Sequence, residues 1–166
     1  MEQKHPELTF AHMLTLLPTA TAIMEGSPSY PTVRGTVKLF DTDRGTVVFA
    51  EIDGLPAPED VCAAPIFGFH IHDGSACTGD AADPFKNAGT HFNPDGCPHP
   101  YHAGDLPPLF GCDGIAVSAF LTDRFTVADA VGKAVVIHSA PDDFTSQPAG
   151  NAGEKIACGI ILPTKR

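Results

Sequence analysis

IFGFHIH, residues 66–72, decides the fold. Alternation with a period of two puts Phe67, Phe69 and Ile71 on one side of an extended strand and Gly68, His70 and His72 on the other. Outward from it, VRGTVKLF (33–40) and GTVVFAEI (45–52) flank DTDR, the signature of a hairpin. Val33, Gly35, Val37 and Leu39 alternate with polar or exposed positions, and Val47, Phe49 and Ile52 are expected core residues. Thr19 to Met24 reads as a short strand closed by Glu25-Gly26. IAVSAFLT (115–122), KAVVIHS (133–139) and the apolar IACGIIL (156–162) supply the remaining strands.

Between the strands lie two polar loops. Residues 73–113 are dense in Gly, Pro, Asp, Asn and His, and a compact domain rarely carries about forty residues of loop without a functional reason. The second loop is PDDFTSQPAGNAG (141–153). With no helical crossover between successive strands, a parallel sheet is disfavoured. The expected architecture is all-β: an eight-stranded antiparallel Greek-key flattened barrel or sandwich with two long functional loops. Sixteen glycines and sixteen prolines agree with frequent turns, and 43% hydrophobic residues suffice for a core. Residues 1–18 read as an appendage, with Leu8, Phe10, Met13, Leu16 and Leu17 on one face of a short helix ended by Pro18. The barrel domain is then 19–166.

A formal net charge of −10 argues against nucleic acid and anionic membranes as partners. No apolar run approaches the roughly 20 residues that span a bilayer. Glu2, Glu7 and His12 interrupt the N-terminal stretch and no basic region precedes it, so no signal peptide is read and the cytoplasm is the expected compartment. The five cysteines are Cys62, Cys77, Cys97, Cys112 and Cys158. Their odd number leaves at least one thiol unpaired within the chain, and no CxxC motif suggests a Cys-only zinc site.

Six of the eight histidines fall between residues 70 and 138. A lone strand histidine is usually a surface or hydrogen-bonded residue, and an HxH pair alone is a weak signal. His70, His72, His91, His99, His102, His138 and Asp105 together are a different matter. Neutral imidazole suits copper and zinc, and a carboxylate added to three imidazoles suits zinc.

In order, GFHIH, GTHFNP, HAGDLP, VVIHSAPDD and GNAGEKIACGII resemble the copper–zinc superoxide dismutase family, its bacterial-type branch in particular, from about residue 19 to 162. The resemblance implies a copper site of His70, His72, His91 and His138 and a zinc site of His91, His99, His102 and Asp105. His91 would then bridge the two ions and take part in catalysis by accepting a proton on the nitrogen facing copper. Asp142 would hydrogen-bond His70 and His99, tying ligands of the two ions together. Cys77 and Cys158 would form a disulfide clamping loop to barrel, which sits against a cytoplasmic location, although a buried bridge can persist there. Cys97 and Cys112 flank the zinc-ligand segment, where either a second bridge or two buried thiols would fit. Family members occur as dimers and as monomers, so a homodimer is left open.

The resemblance departs at one catalytic position. The family usually carries arginine three residues before the last cysteine, and this chain has Lys155. The positive charge survives but the planar fork of donors does not. Lys155 is expected to draw superoxide in with weaker orientation, and arginine there to raise the rate. Two rival readings accompany the enzyme: a copper- and zinc-buffering protein of the same fold with little or no dismutase activity, and a zinc-stabilised relative that never acquires copper.

Overall fold

The computed structural model describes residues 15–58, 60 and 62–165. Its strands follow the hydrophobic alternation closely. They are β1 (Ala20–Gly26), β2 (Arg34–Thr42), β3 (Gly45–Asp53), β4 (Ile66–Phe67), β5 (Phe69–His72), β6 (Leu109–Phe110), β7 (Ala116–Thr122), β8 (Ala134–His138) and β9 (Lys155–Pro163). Two helical turns interrupt them: a 3-10 turn at Lys86–Ala88 and α1 at Val127–Ala130. Seven strands form one antiparallel sheet in the order β5-β8-β9-β1-β2-β3-β7, and β4 pairs with β6. Chain connectivity then closes the sheet. β4 leads through Gly68 into edge strand β5, while β6 leads through the tight Cys112–Ile115 turn into the opposite edge strand β7. The small β4-β6 pair thus spans the gap between the two edges, and the result is a flattened Greek-key barrel. It has nine strands among the described residues where eight were expected: Gly68 splits IFGFHIH into β4 and β5, and β6 lies within residues 73–113, which were read as loop. The Gly68 N–H donates to Ala140 and its carbonyl accepts from His138, so its backbone serves a loop and β8 there.

Inside the barrel, Ala22, Met24, Val37, Leu39, Val48, Ala50, Ile52, Phe69, Ile71, Val135, Ile137 and Ile161 make one buried cluster. Val47, Phe49 and Ile52 are all buried, as expected, but in two clusters: Val47 and Phe49 pack with Phe40, while Ile52 lies with Val48 and Ala50 in the barrel interior. The period of two requires this, since 47 and 49 cannot share a face with 52. The β2–β3 register agrees, setting Phe40 opposite Val47 and Leu39 opposite Val48.

The outer face of β5, β8 and β9 is also dry. Phe85 and Ala88, from the long loop, pack there on Ala134, Val136 and Cys158. His70 stands opposite Val136 and His72 opposite Ala134, so the two histidines share this loop-covered outer wall. The loop is bonded to the wall by the Cys77–Cys158 disulfide, as the resemblance implied. Cys62, Cys97 and Cys112 are free, so the second bridge is not formed. Cys97 is held instead in a turn, its N–H donating to Asn93 and its carbonyl accepting from the same side chain, while Cys112 lies exposed in the β6–β7 turn.

Residues 1–14, with Leu8, Phe10 and Met13 of the expected apolar helix face, lie outside the described residues. Leu16 and Leu17 are exposed and not helical. Among the described residues no helix is long and apolar enough to cross a membrane.

Cys77 and Cys158 are 81 residues apart. Loss of such a cross-link costs about 4–5 kcal/mol in the chain-entropy treatment. The Cys77→Ser/Cys158→Ser variant should therefore unfold at a distinctly lower urea concentration than the oxidised protein. Coincident unfolding curves would show that the clamp does not stabilise the barrel.

Candidate metal centre

Each histidine on the outer wall is fixed by a partner on one ring nitrogen, which leaves the other nitrogen to point elsewhere. His72 Nδ1 is 2.9 Å from the Gly89 carbonyl and His138 Nδ1 is 3.2 Å from the Gly153 carbonyl. A carbonyl only accepts, so both Nδ1 atoms carry the proton and both Nε2 atoms present a lone pair. Those two Nε2 atoms lie 3.3 Å apart. His70 is reversed: Nε2 donates to Asp142 at 2.7 Å and Nδ1 is buried with no hydrogen-bond partner. His91 reaches the same place from the long loop, where the backbone pairs His91 with His72.

The second group is assembled almost wholly from the long loop. His91 Nδ1 is 2.7 Å from Asp105 Oδ1, His102 Nδ1 is 3.3 Å from the same oxygen, and His99 Nδ1 is 3.1 Å from Asp105 Oδ2. His99 passes its other nitrogen, Nε2, to Asp142 at 2.9 Å. One buried carboxylate, Asp142, thereby joins the His70 ring to the His99 ring, as the resemblance implied. Gly150, at a positive φ, packs so closely on Asp142 that any Cβ there would overlap the carboxylate. Gln147 adds a clamp that sequence reasoning missed: its side chain accepts from the His99 N–H at 3.0 Å and donates to the His99 carbonyl at 2.6 Å.

These contacts make two groups of ligand atoms, His70/His72/His91/His138 and His91/His99/His102/Asp105, each confined within 4.8 Å. His91 belongs to both. Its Nδ1 faces Asp105, while its Nε2 is buried without a hydrogen-bond partner. Buried nitrogens without partners are costly, and lone pairs turned toward one another repel. His70 Nδ1, His91 Nε2 and His99 Nδ1 are three such atoms in one site. A cation removes the conflict. Four ligands at metal bonds of about 2.0–2.1 Å stand about 3.3 Å apart at the corners of a tetrahedron, which is the spacing of the His72–His138 and His102–Asp105 pairs. The residues present therefore fit an ion in each group, with imidazole alone in the first and a carboxylate added in the second.

Electrostatics favour the ligand state. Burial pushes His72 down to about 3 and His138 down to about 4, each against the opposing pull of its carbonyl partner. Burial, reinforced by the neighbouring imidazoles, drives His70 far below the histidine range. All three are neutral at pH 7, as metal ligation requires. For Asp105, burial works against the charge, but hydrogen bonds from the His91 ring and the His102 N–H outweigh it and keep the carboxylate ionised.

Lys155 comes to this site through the register of the sheet. β9 pairs His138 with Lys155 across a bulge that follows the Ile137–Ala157 pair. Opposed residues share a face, so the bulge brings lysine beside His138. It lines, with His72, His91, His102 and His138, an open cavity of about 500 Å³.

Comparison with known proteins agrees with this geometry. The family described as copper/zinc superoxide dismutase (SODC) matches residues 33–161. Superoxide dismutase [Cu-Zn] 2 of Aquifex aeolicus is 36% identical, covering 78% of this chain and 79% of that protein. The Cu-Zn enzyme of Escherichia coli K12 is 34% identical, covering 76% and 78%, and that of Deinococcus radiodurans is 35% identical, covering 78% and 77%. Among solved structures, Cu/Zn superoxide dismutase from Brucella abortus aligns with a TM-score of 0.71 at 24% identity, over 85% of this chain and 98% of that one.

The lowered histidines set a pH dependence for the metal-free protein. Between pH 6.5 and about 4, the unfolded chain takes up protons at His70, His72 and His138 that the folded chain refuses. Stability must then fall as pH falls through that window. The melting temperature of metal-free protein should drop continuously from pH 7 to pH 4. A flat profile would show that these rings are not buried neutral.

Proposed function

Since the chain belongs to the copper/zinc superoxide dismutase family, we propose that His70, His72, His91 and His138 hold its copper and His91, His99, His102 and Asp105 its zinc. The activity is dismutation of superoxide to oxygen and hydrogen peroxide, an oxidoreductase reaction with copper and zinc as cofactors. The single observation that carries the residue assignment is the membership of His91 in both groups of donors. When bound, copper would supply the one-electron couple that the two half-reactions need, and zinc would supply a fixed positive charge.

The chain's own residues do the rest. The carbonyls of Gly89 and Gly153 hold His72 and His138 in the tautomer that offers Nε2, and Asp142 holds His70 in the one that offers Nδ1. These hydrogen bonds hold the three rings in fixed orientations. His91 Nε2, buried and with no hydrogen-bond partner of its own, is the nitrogen in the site that would hold a proton. His91 lines the open cavity, so a proton held there would be within reach of the reduced substrate. Lys155, on the wall of the same cavity, offsets the chain's net −10 locally and draws in the superoxide anion.

Three expectations of the sequence are carried forward with this reading. Residues 1–18 are an appendage to a barrel domain of 19–166, the compartment is the cytoplasm, and a homodimer is left open as the assembly.

His70→Ala removes one copper ligand and leaves all four zinc ligands. Elemental analysis of the variant should find zinc near one equivalent and little copper. Superoxide decay after pulse radiolysis should fall to the uncatalysed rate. Full activity in this variant would remove His70 from the site.

A further inference from the structure

We propose that Asp83 gates the charge of Lys155, and so sets how strongly the cavity beside His138 attracts an anion. The inference rests on the reading that Lys155 serves the incoming superoxide. Lys155 lies between two cavities. One is the open cavity lined by His72, His91 and His138. The other, of about 320 Å³, is lined by Asp83, Glu154, Ser27 and His138. The ammonium makes its ion pair toward the second, with Nζ 2.5 Å from Asp83 Oδ2.

This is more than a chance meeting of two surface side chains. Asp83 is built into a closed turn. Its Oδ1 accepts from the Phe85 N–H at 3.1 Å, its own N–H donates to Asp80 at 3.0 Å, and its carbonyl accepts from the N–H groups of Asp80 and Lys86. Phe85 is packed on the barrel wall, and the Cys77–Cys158 disulfide bonds the same loop to β9 three residues from Lys155. The Lys155 side chain is only 15% exposed. The neighbouring acids have partners of their own, Glu154 accepting from the Tyr30 hydroxyl and Asp80 from Lys86. Asp83 is therefore the carboxylate that faces the ammonium. A cation in contact with an anion presents a dipole to a distant ion, and its pull fades faster with distance than that of a free charge. Lys155 exerts its full attraction only when Asp83 lets go. The lysine thus stands where the family has arginine, but under the control of a loop carboxylate.

Asp83→Asn keeps the oxygen that accepts from Phe85 and removes the charge. Deleting one unit charge about 8 Å from a bound anion in a water-like medium accounts for about a two- to threefold change in affinity. Release of the ammonium into the cavity should raise this to about tenfold. Inorganic phosphate is the probe, titrated into protein loaded with zinc and copper(I), with the heat of binding as readout in every variant. The rate of superoxide decay against ionic strength is measured in parallel. Support is about tenfold tighter phosphate binding and a steeper salt dependence in Asp83→Asn, shrinking to about two- to threefold in a Lys155→Ala background. Equal gains in both backgrounds, or none in either, overturn the gate. Asp83→Ser, which also keeps an acceptor for Phe85, replaces Asp83→Asn should that variant not fold. Failure of the fully loaded parent protein to speed superoxide decay would sink the functional reading instead, and the phosphate comparison would still decide the role of Asp83.

Discussion

Everything in this molecule is arranged around one imidazole ring whose two nitrogens serve two different clusters of donors. His91 Nδ1 is hydrogen-bonded to Asp105 in one cluster, but its Nε2 is buried without a partner, and the other cluster is made of histidines alone. Gathering such groups out of water without a cation is unfavourable, and gathering them around one is strongly favourable. The same burial that makes the empty arrangement costly keeps His70, His72 and His138 neutral. The site is thus poised for metal by the barrel, and the long loop is folded onto the barrel by what the site requires.

The scaffold does this with few devices. A period of two puts the core side chains of β5 inward and its histidines outward. Phe85 and Ala88 turn the outward face into a second, smaller interior. Backbone carbonyls at Gly89 and Gly153 choose the tautomers, and Asp142 ties the outer-wall ring of His70 to the loop ring of His99. A bulge in β9 brings Lys155 level with His138. The position of the Lys155 charge therefore depends on the same sheet register as the outer-wall histidines, while its ion pair with Asp83 depends on the disulfide-bonded loop.

How much of this was legible in the sequence follows from which parts have a period. The strands, the HxH pair and the inner row of Val37 and Leu39 could be read because alternation is a local signal. Val47, Phe49 and Ile52 were legible as buried residues from their apolar size, while their division between two clusters follows from parity along the strand. Loops have no period, so His99, His102 and Asp105 were legible only as ligand-type residues, and their division into two sites, with Asp142 joining them, came through the resemblance to a family. Gln147 and Asp83 carried no signal at all. Their partners, His99 and Lys155, lie 48 and 72 residues away, and only the folded chain brings them together. The suggested Cys97–Cys112 bridge failed for a related reason: flanking a segment in sequence says nothing about where two thiols point.

Anomalous scattering from crystals of metal-loaded protein, recorded on both sides of the copper and zinc absorption edges, tests the shared ring most directly. The account predicts two peaks, one copper and one zinc, on opposite nitrogens of His91. One peak alone, or two peaks with no histidine in common, would contradict it.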